Sequence, residues 1–403
     1  MKTALSHIQV LDLSRILAGP WAGQMLADFG ANVIKVERPG SGDDTRGWGP
    51  PFVKDTAGNP TDAAYFHSAN RGKQSIAVDI TSPEGQALIH RLAANVDVVL
   101  ENYKVGGLKK YNLDYDSLKA INPKLIYCSI TGFGQDGPYS KRAGYDFMIQ
   151  AMGGLMSVTG EPDGQPMKVG VALADVMTGL YASNAIQAAL LHRTETGVGQ
   201  HIDLALLDVQ VATLANQAMN YLVGGEPPQR LGNAHPNIVP YEAFATADSH
   251  VILAIGNDGQ FAKFCTLAGA PGLSTDPDFL TNSQRVNNRH TLIPIVRKLM
   301  QQHDTQWWLE NLAEQGVPSG PINTLDQVFE NEQILHREMQ VQLDHPAAGK
   351  VPSVANPVKF SETPIQYGQA SPQLGQHTQK VLNEVLGMDD GEIDRLRSEK
   401  VIG

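Results

Sequence analysis

The 403-residue chain is long enough for two or three domains, and its 42% apolar and 18% charged residues exclude a disordered or fibrous protein. A net charge of −11 argues against nucleic acid or an anionic membrane as the main partner, and two cysteines without CxxC spacing, Cys128 and Cys265, argue against a disulfide framework or a structural zinc site. Nothing reads as a signal peptide and no apolar run reaches the roughly 18 residues of a membrane helix, so a soluble, cytoplasmic protein is expected.

The stretch "HIQVLDLS" (7–14) reads as a buried strand. "GPWAGQMLADFG" follows as a helix with Pro20 near its start and Gly30 at its end, and "ANVIKVE" as a second strand. The β-α-β pattern recurs in "SIAVDI", "SPEGQALIHRLAANV" with Ser82 as cap and Pro83 at the first helical position, and "DVVLEN". A short helix at "YDSLKAI" and a strand "KLIYCSI" lead into the turn-rich "TGFGQDGPYS". This alternation predicts an α/β fold with a largely parallel sheet whose ligands sit beyond the carboxyl ends of its strands. Functional weight therefore falls on residues 14–20, 37–46, 79–82, 101–104 and 131–136.

A long helix is predicted from Asp175 to about Thr194, stopped by "TGVGQ", and "HIDLALLDVQVATLANQAMNYLVGG" reads as a strand running into another helix. "GGEPPQRLGNAHPNIVP" (224–240) is a linker or a lining loop. "VILAIG", a helix near "GQFAKFCTLAGA" and polar helices between 280 and 315 predict a smaller α+β domain. "GVPSGPIN" reopens a connection, and the tail holds a helix "HTQKVLNEVLG" ended by Gly387. The expected division is a large domain over 1–224, a small domain over 225–325 and a return to the large domain over 326–403.

Residues 1–142 carry 16 basic against 14 acidic side chains, net +2, and the remainder 15 against 28, net −13. The first third is either the place for an anionic small molecule or a solvated mixed surface. The first strand-to-helix turn, "ILAGPWAG", lacks GxGxxG, so NAD is disfavoured, and "RGKQS" lacks the glycine of a phosphate-binding loop. There is no GxSxG elbow, HExxH or EF-hand spacing, and the 12 histidines form no metal-ligand pattern, so no metal is expected.

One carboxylate then stands out: Asp175, inside the otherwise apolar or small "VALADVMTGLYA". It could cap the helix that follows, stabilising it by about 1 kcal/mol. It could equally be a nucleophile, since the helix N-terminus would keep a carboxylate ionised for attack on an activated acyl carbon. The residues alone leave both readings open.

Five blocks in order, "LAGPWAGQMLADFGANVIKVERPGSGDDTR", "DVVLENYKVGGLKKYNL", "ITGFGQDGPYSKRAGYD", "GVALADVMTGLYA" and "QLGQHT", resemble the class III CoA-transferases, the group of formyl-CoA transferase and carnitine CoA-transferase. "NRGKQSIAVDI", "AGYD" and "NAHPNIVPYEAF" are most similar to the succinate–hydroxymethylglutarate (glutarate) branch. The resemblance spans nearly the full length. It implies a Rossmann-like large domain with an inserted smaller α+β domain, and an interlocked homodimer. It implies no metal or redox cofactor, and coenzyme A as part of substrate and product.

The resemblance also places the nucleophile at Asp175. The carboxylate would attack a donor thioester to give a mixed anhydride, then carry CoA as an aspartyl thioester, and then pass it through a second anhydride to an acceptor acid. Both anhydrides require exclusion of water, and each oxyanion requires N–H donors. Family CoA-binding positions match Leu17, Ala18, Arg38, Val78, Asp79, Thr81, Asn102, Tyr103, Lys104 and Lys110, and the run Ala143, Gly144, Tyr145 and Asp146. For Arg38, Lys104 and Lys110 a solvated surface charge is the alternative.

Leu17 stands where the formyl transferase has glutamine, which favours a larger acyl group over formyl or oxalyl. The family's mobile glycine-rich loop is reduced to "GNDG" (256–259), so Gly256 and Asn257 are substrate-side candidates or a plain surface turn. A dicarboxylate's distal end needs a cation or several donors, for which Arg46, His235 and Tyr241 are candidates, although His235 could instead order its own loop. Succinyl-CoA is the expected donor, with glutarate, hydroxymethylglutarate, itaconate or another C4 to C6 dicarboxylate as acceptor. The competing readings are an α-methylacyl-CoA racemase of the same superfamily, which would place a histidine where this chain has Tyr145, a formyl-CoA:oxalate CoA-transferase, and a silent CoA-binding scaffold.

Overall fold

The computed structural model describes residues 3–403. The opening pattern forms β1 (Gln9–Asp12), α1 (Ala18–Asp28) and β2 (Asn32–Glu37). A hairpin of β3 (Phe52–Lys54) and β4 (Pro60–Ala63) and the short α2 (Ala64–His67) precede β5 (Gln74–Ala77). Next come α3 (Pro83–Ala93), capped by the Ser82 hydroxyl on the Gly85 N–H, β6 (Val98–Glu101), α4 (Tyr115–Ile121) and β7 (Ile126–Thr131). Helices α5 (Asp146–Met152) and α6 (Leu155–Val158) lead to the long α7 (Leu173–Thr196), which ends at Gly197 in the left-handed conformation. Then follow β8 (His201–Ala205), α8 (Leu206–Ala212) and α9 (Ala215–Gly224).

Strands β9 (Tyr241–Ala245) and β10 (His250–Ala254) are followed by α10 (Asp258–Leu267), α11 (Asn282–Asn287), α12 (Arg289–Met300) and α13 (Thr305–Glu314). The chain continues through β11 (Ser319–Pro321), α14 (Leu325–Glu330) and α15 (Glu332–His336) to the hairpin β12 (Gln340–His345) and β13 (Gly349–Val354). Helices α16 (Thr378–Leu386) and α17 (Asp390–Ser398) close it.

Six strands form one sheet in the order β5-β2-β1-β6-β7-β8, every pair parallel. The fold is thus mixed α/β around a parallel central sheet. Its order reverses between β1 and β6, which is where ligands bind in doubly wound sheets. Both faces are apolar, as a covered parallel sheet requires. Val10, Val33 and Val98 pack with Ala22 and Leu26 of α1 and with Ala182 and Ile186 of α7. The alternate residues Leu11, Ile34 and Val99 pack with Leu88 of α3, Leu382 of α16 and Ile393 of α17. The C-terminal segment covers the β5 edge: the His377 N–H donates to the Ser75 carbonyl at 2.9 Å, and the Gly403 N–H to the Ala77 carbonyl at 3.1 Å.

The chain divides into two compact units. One comprises the described residues up to Leu155, Val169–Ala218 and Glu332–Gly403, and the other Met156–Lys168 and Met219–Asn331. The sequence reading places 156–168 in the large domain. They belong to the second unit because their backbone is captured there: the Gly232 N–H donates to the Gly160 carbonyl at 3.0 Å, and Arg230 donates to the carbonyls of Glu161 and Gly164. The second unit carries the antiparallel sheet β11-β10-β9 over a core that includes Phe264, Leu292 and Trp308. No described helix is long and apolar enough to cross a membrane.

Candidate active site

Beyond β1 and β6 the chain forms two loops that are tied together at the reversal of strand order. The Arg15 N–H donates to Asn102 Oδ1 at 2.9 Å, and Asn102 Nδ2 donates to the Arg15 carbonyl at 2.7 Å. The next residue, Ile16, has φ +73°, a conformation that a β-branched residue adopts at a cost of about 1–3 kcal/mol. Its N–H donates to both oxygens of Asp43, at 3.3 and 3.2 Å. Asp43 is paired at 2.9 Å with Lys35, both side chains sealed from solvent. Burial acts to raise the Asp43 carboxyl, but Lys35 and the Thr45 N–H outweigh it and bring it down to about 2. Helix α1 begins immediately after this turn. Its Ala18 and Gly19 N–H groups lack intrahelical partners, as in the first turn of any helix.

Helix α1 packs on α7 across Gly179. A Cβ there would lie 2.8 Å from the Ala18 carbonyl oxygen and 2.9 Å from the Trp21 Cβ, so only glycine permits this approach. Gly179 is one turn beyond Asp175, so the same contact brings Leu17 and Ala18 to the Asp175 cavity.

Asp175 is not the cap of α7. It lies in the first turn, and the exposed N–H groups go to Asp146: Oδ1 accepts from Ala174 at 2.8 Å and from Asp175 at 3.4 Å, while Gln150 Nε2 donates to Oδ2 at 2.8 Å. The expectation that the helix start keeps Asp175 ionised fails for the same reason, because another carboxylate occupies the stabilising position. Burial, and then the charge of Asp146, push the Asp175 carboxyl up to about 7. Burial and the charges of Asp175 and Asp146 also raise the Tyr65 phenol, which places Tyr65 in the field of both carboxylates.

Asp175 lines a cavity of about 420 Å³. Leu17 and Ala18 form one wall, Asn102, Tyr103, Lys104 and Lys110 a second, and Ala143, Gly144, Tyr145 and Asp146 a third. The third wall depends on a backbone crossing, since a Cβ on Gly132 would sit 2.6 Å from the Gly144 Cα. A smaller cavity of about 150 Å³ is lined by Arg38, Val78, Asp79 and Thr81, and shares Arg15, Tyr103 and Tyr111 with the first. Arg142 also lines the larger cavity, its guanidinium held 4.6 Å from the Tyr139 ring centre. One cavity thus brings together a partly buried carboxylate, the first residue of α1 and the cations Arg15, Lys104, Lys110 and Arg142.

Residues 5–378 match the family model described as CoA-transferase family III. The chain belongs to CoA-transferase family III. It is 54% identical over 388 residues to "Succinate--glutarate CoA-transferase" of Agrobacterium fabrum (95% of this chain, 96% of that protein). It is 46% identical over 398 residues to "Succinyl-CoA:glutarate CoA-transferase" of Mus musculus (99% of this chain, 90% of that protein). The crystal structure of a CAIB/BAIF family protein from Brucella suis superposes with a TM-score of 0.84 at 53% identity, covering 96% of this chain and 100% of that one.

Five residues nominated for substrate binding in the transferase do not line this cavity. Arg46, offered as a partner for a distal carboxylate, has its guanidinium taken: it is bidentate on Glu37 at 2.8 and 2.6 Å, reaches Asp62 at 2.7 Å, and lies 3.8 Å over Phe66. His235 and Tyr241 line a separate cavity of about 380 Å³ within the second unit, together with Arg289 and Arg297. His235 Nδ1 accepts from the Asn237 N–H at 3.1 Å, so this imidazole does order its own loop. Asn257 is the cap of α10, accepting from the Gln260 N–H at 2.9 Å, and the Gly256 N–H donates to Gln260 Oε1 at 2.8 Å. Conversely, Ile16 and Asp43 fall within the strand-end stretches 14–20 and 37–46 that carried functional weight without being singled out, while Tyr65 and Gly179 were missed. Of the missed pair only Gly179 left a signal, a glycine within a predicted helix.

Proposed function

We propose that the transferase moves CoA from succinyl-CoA to glutarate, with Asp175 as the nucleophile that carries first the acyl group and then CoA. The observation that carries this is the state of Asp175: a partly buried carboxylate without a cation, its carboxyl raised to about 7, in one cavity with the first turn of α1. Such a group is more basic and less hydrated than a surface aspartate, and so a better nucleophile once ionised. The names of the relatives supply the donor and acceptor.

In the first step an Asp175 oxygen adds to the thioester carbonyl, the C–S bond breaks, and CoA leaves as its thiolate with an aspartyl–succinyl anhydride behind it. The thiolate then attacks the aspartyl carbonyl, releasing succinate and forming an aspartyl-CoA thioester. A glutarate carboxylate attacks that thioester, expelling thiolate and forming an aspartyl–glutaryl anhydride. Thiolate attack on the glutaryl carbonyl yields glutaryl-CoA and the free Asp175 carboxylate, so no proton, electron or water is consumed. The Ala18 N–H, in the first turn of α1 on the cavity wall, and the Gly19 N–H that follows it would receive each tetrahedral oxyanion. Lys104, Lys110 and Arg38 would meet the CoA phosphates.

The racemase reading needs a basic partner for Asp175. Among the described residues no histidine lines the cavity, and Tyr145, at 66% exposed, is a solvated phenol. We also read the protein as an interlocked homodimer whose second unit is inserted in the first, on the strength of family membership, and light scattering should return twice the chain mass. The chemical test is hydroxylamine trapping during turnover with succinyl-CoA. It should give a hydroxamate on Asp175 alone, and transfer that survives Asp175→Ala would refute the mechanism. A panel of acceptor acids read by mass spectrometry checks glutarate.

A further inference from the structure

Four consecutive backbone groups between β1 and α1 are held by side chains from other elements. Lys35 Nζ donates to the Ser14 carbonyl at 2.8 Å, Asn102 takes the Arg15 N–H at 2.9 Å and the Arg15 carbonyl at 2.7 Å, and Asp43 accepts the Ile16 N–H at 3.3 and 3.2 Å. A strand-to-helix turn needs no such restraint if glycine occupies the left-handed position. Here the position at φ +73° is an isoleucine, and a β-branched residue persists there only where its surroundings over-determine it.

The clamp is itself rigid. Lys35 and Asp43 are fully buried and joined at 2.9 Å. Asp43 also accepts from the Thr45 N–H at 3.0 Å and the Thr45 hydroxyl at 2.8 Å, and its own N–H donates to Glu37 at 2.9 Å. Directly after Ile16 come Leu17 and Ala18, on the wall of the Asp175 cavity, with the Ala18 carbonyl against Gly179 of α7. Any shift of the Ile16 turn therefore moves the first N–H groups of α1 relative to Asp175.

We propose that Lys35 and Asp43 are positioning residues for acyl transfer: acting through the left-handed Ile16 turn, they set where the first N–H groups of α1 meet the tetrahedral oxygen. Their side chains are sealed from solvent, so they act only through the backbone they hold. The proposal rests on the reading of Asp175 as the nucleophile.

The test removes both charges together as Lys35→Met/Asp43→Leu, which leaves no unpaired buried ion. We expect kcat to fall about tenfold to a hundredfold, the scale of a roughly 1 Å misplacement. KM for succinyl-CoA should stay within about threefold, the signature of an interaction used in the transition state, and the circular dichroism spectrum should be unchanged. Adding Ile16→Gly, which takes φ above zero without a clamp, should recover about fivefold or more of the lost kcat. A purely structural defect would not be rescued by glycine. A kcat within about twofold of wild type, or a loss that Ile16→Gly leaves untouched, would overturn the proposal. If the double variant does not fold, Lys35→Met/Asp43→Asn, which also removes both charges but keeps the size of the aspartate, is taken through the same measurements. Hydroxylamine trapping on the wild type separates the two claims. A hydroxamate on Asp175 with full kcat in the clamp variants overturns the positioning role alone, and no hydroxamate overturns the nucleophile and the positioning role with it.

Discussion

Two carboxylates border the turn between β1 and α1, and they are treated oppositely. Asp43, on the loop after β2, has lost its water but gained Lys35, the Ile16 N–H and the Thr45 N–H, and its carboxyl is held at about 2. Asp175, at the start of α7, is also withdrawn from water, yet its nearest charge is another carboxylate and its carboxyl stands at about 7. Asp43 is given partners as a buried carboxylate that serves the fold is, and Asp175 is denied them, which is what the proposed nucleophile requires. The device at Asp175 is Asp146, which takes the helix N–H groups and at the same time adds a repelling charge.

Replacing each aspartate by its amide sharpens this contrast, because stability should move in opposite directions. Asp175→Asn should lower transfer by about a thousandfold or more, as loss of a covalent nucleophile does. The same variant should be more stable than wild type by about 2 kcal/mol at pH 8, where the native Asp175 is charged and unpaired, and this advantage should vanish near pH 4, where it is protonated. Asp43→Asn should instead destabilise by about 3–5 kcal/mol, because it strands Lys35 in the interior. Urea titrations at both pH values measure all three quantities, and equal signs for the two variants would dissolve the comparison.

Much of this was legible before the structure. The alternation of apolar strands with capped helices carries the parallel sheet, since Ser82 and Gly197 punctuate the helices where their chemistry predicts. Resemblance carried the cavity positions, which come from three stretches of chain far apart in sequence. What could not be read was which carboxylate does what. Asp146 and Asp175 are 29 residues apart, and only the packing of α5 beside the start of α7 makes the first the cap of the second's helix. Arg46 misled because a lone arginine after a strand looks available, and its bidentate grip on Glu37 depends on a fold-back that leaves no periodic trace. The hairpins β3–β4 and β12–β13 escaped because few of their residues are buried, so no apolar run marks them, and β4 and β13 each carry a proline.

The pH dependence of the reaction tests the raised carboxyl more gently. On the proposed mechanism transfer needs ionised Asp175, so kcat/KM should hold above about pH 7 and fall roughly tenfold per unit below it. An aspartate at its ordinary value of 3.8 would leave the profile flat down to pH 5. Gly179→Ala should act on the same group from the other side. Its Cβ would press on the Ala18 carbonyl and Trp21, so it should cost about 1–3 kcal/mol and slow transfer about tenfold, without moving the pH at which activity falls.

The smallest expected effect comes from a group with the opposite sign. His67 is 8% exposed, and neither ring nitrogen has a hydrogen-bond partner among the described residues. Burial, then His345 and Arg46, lower it from 6.5 to about 4. The unfolded chain therefore binds a proton that the native state refuses between about pH 6.5 and 4, and this group withdraws stability as pH falls through that window. Asp175 behaves the other way over the same range, because its native form takes up a proton near pH 7 that the unfolded chain does not bind until 3.8. The two contributions oppose each other in the wild type, so its melting curve hides both. His67→Phe keeps an aromatic ring facing His345, which lies 5.6 Å away, and removes the titrating group. Its stability relative to wild type should improve by about 1.5–2 kcal/mol between pH 6.5 and 5, while that of Asp175→Asn should worsen by about 1 kcal/mol. A His67→Phe difference that stays constant over this range would mean that His67 is protonated in the native state, and the acid-side opposition to Asp175 would have to come from another group.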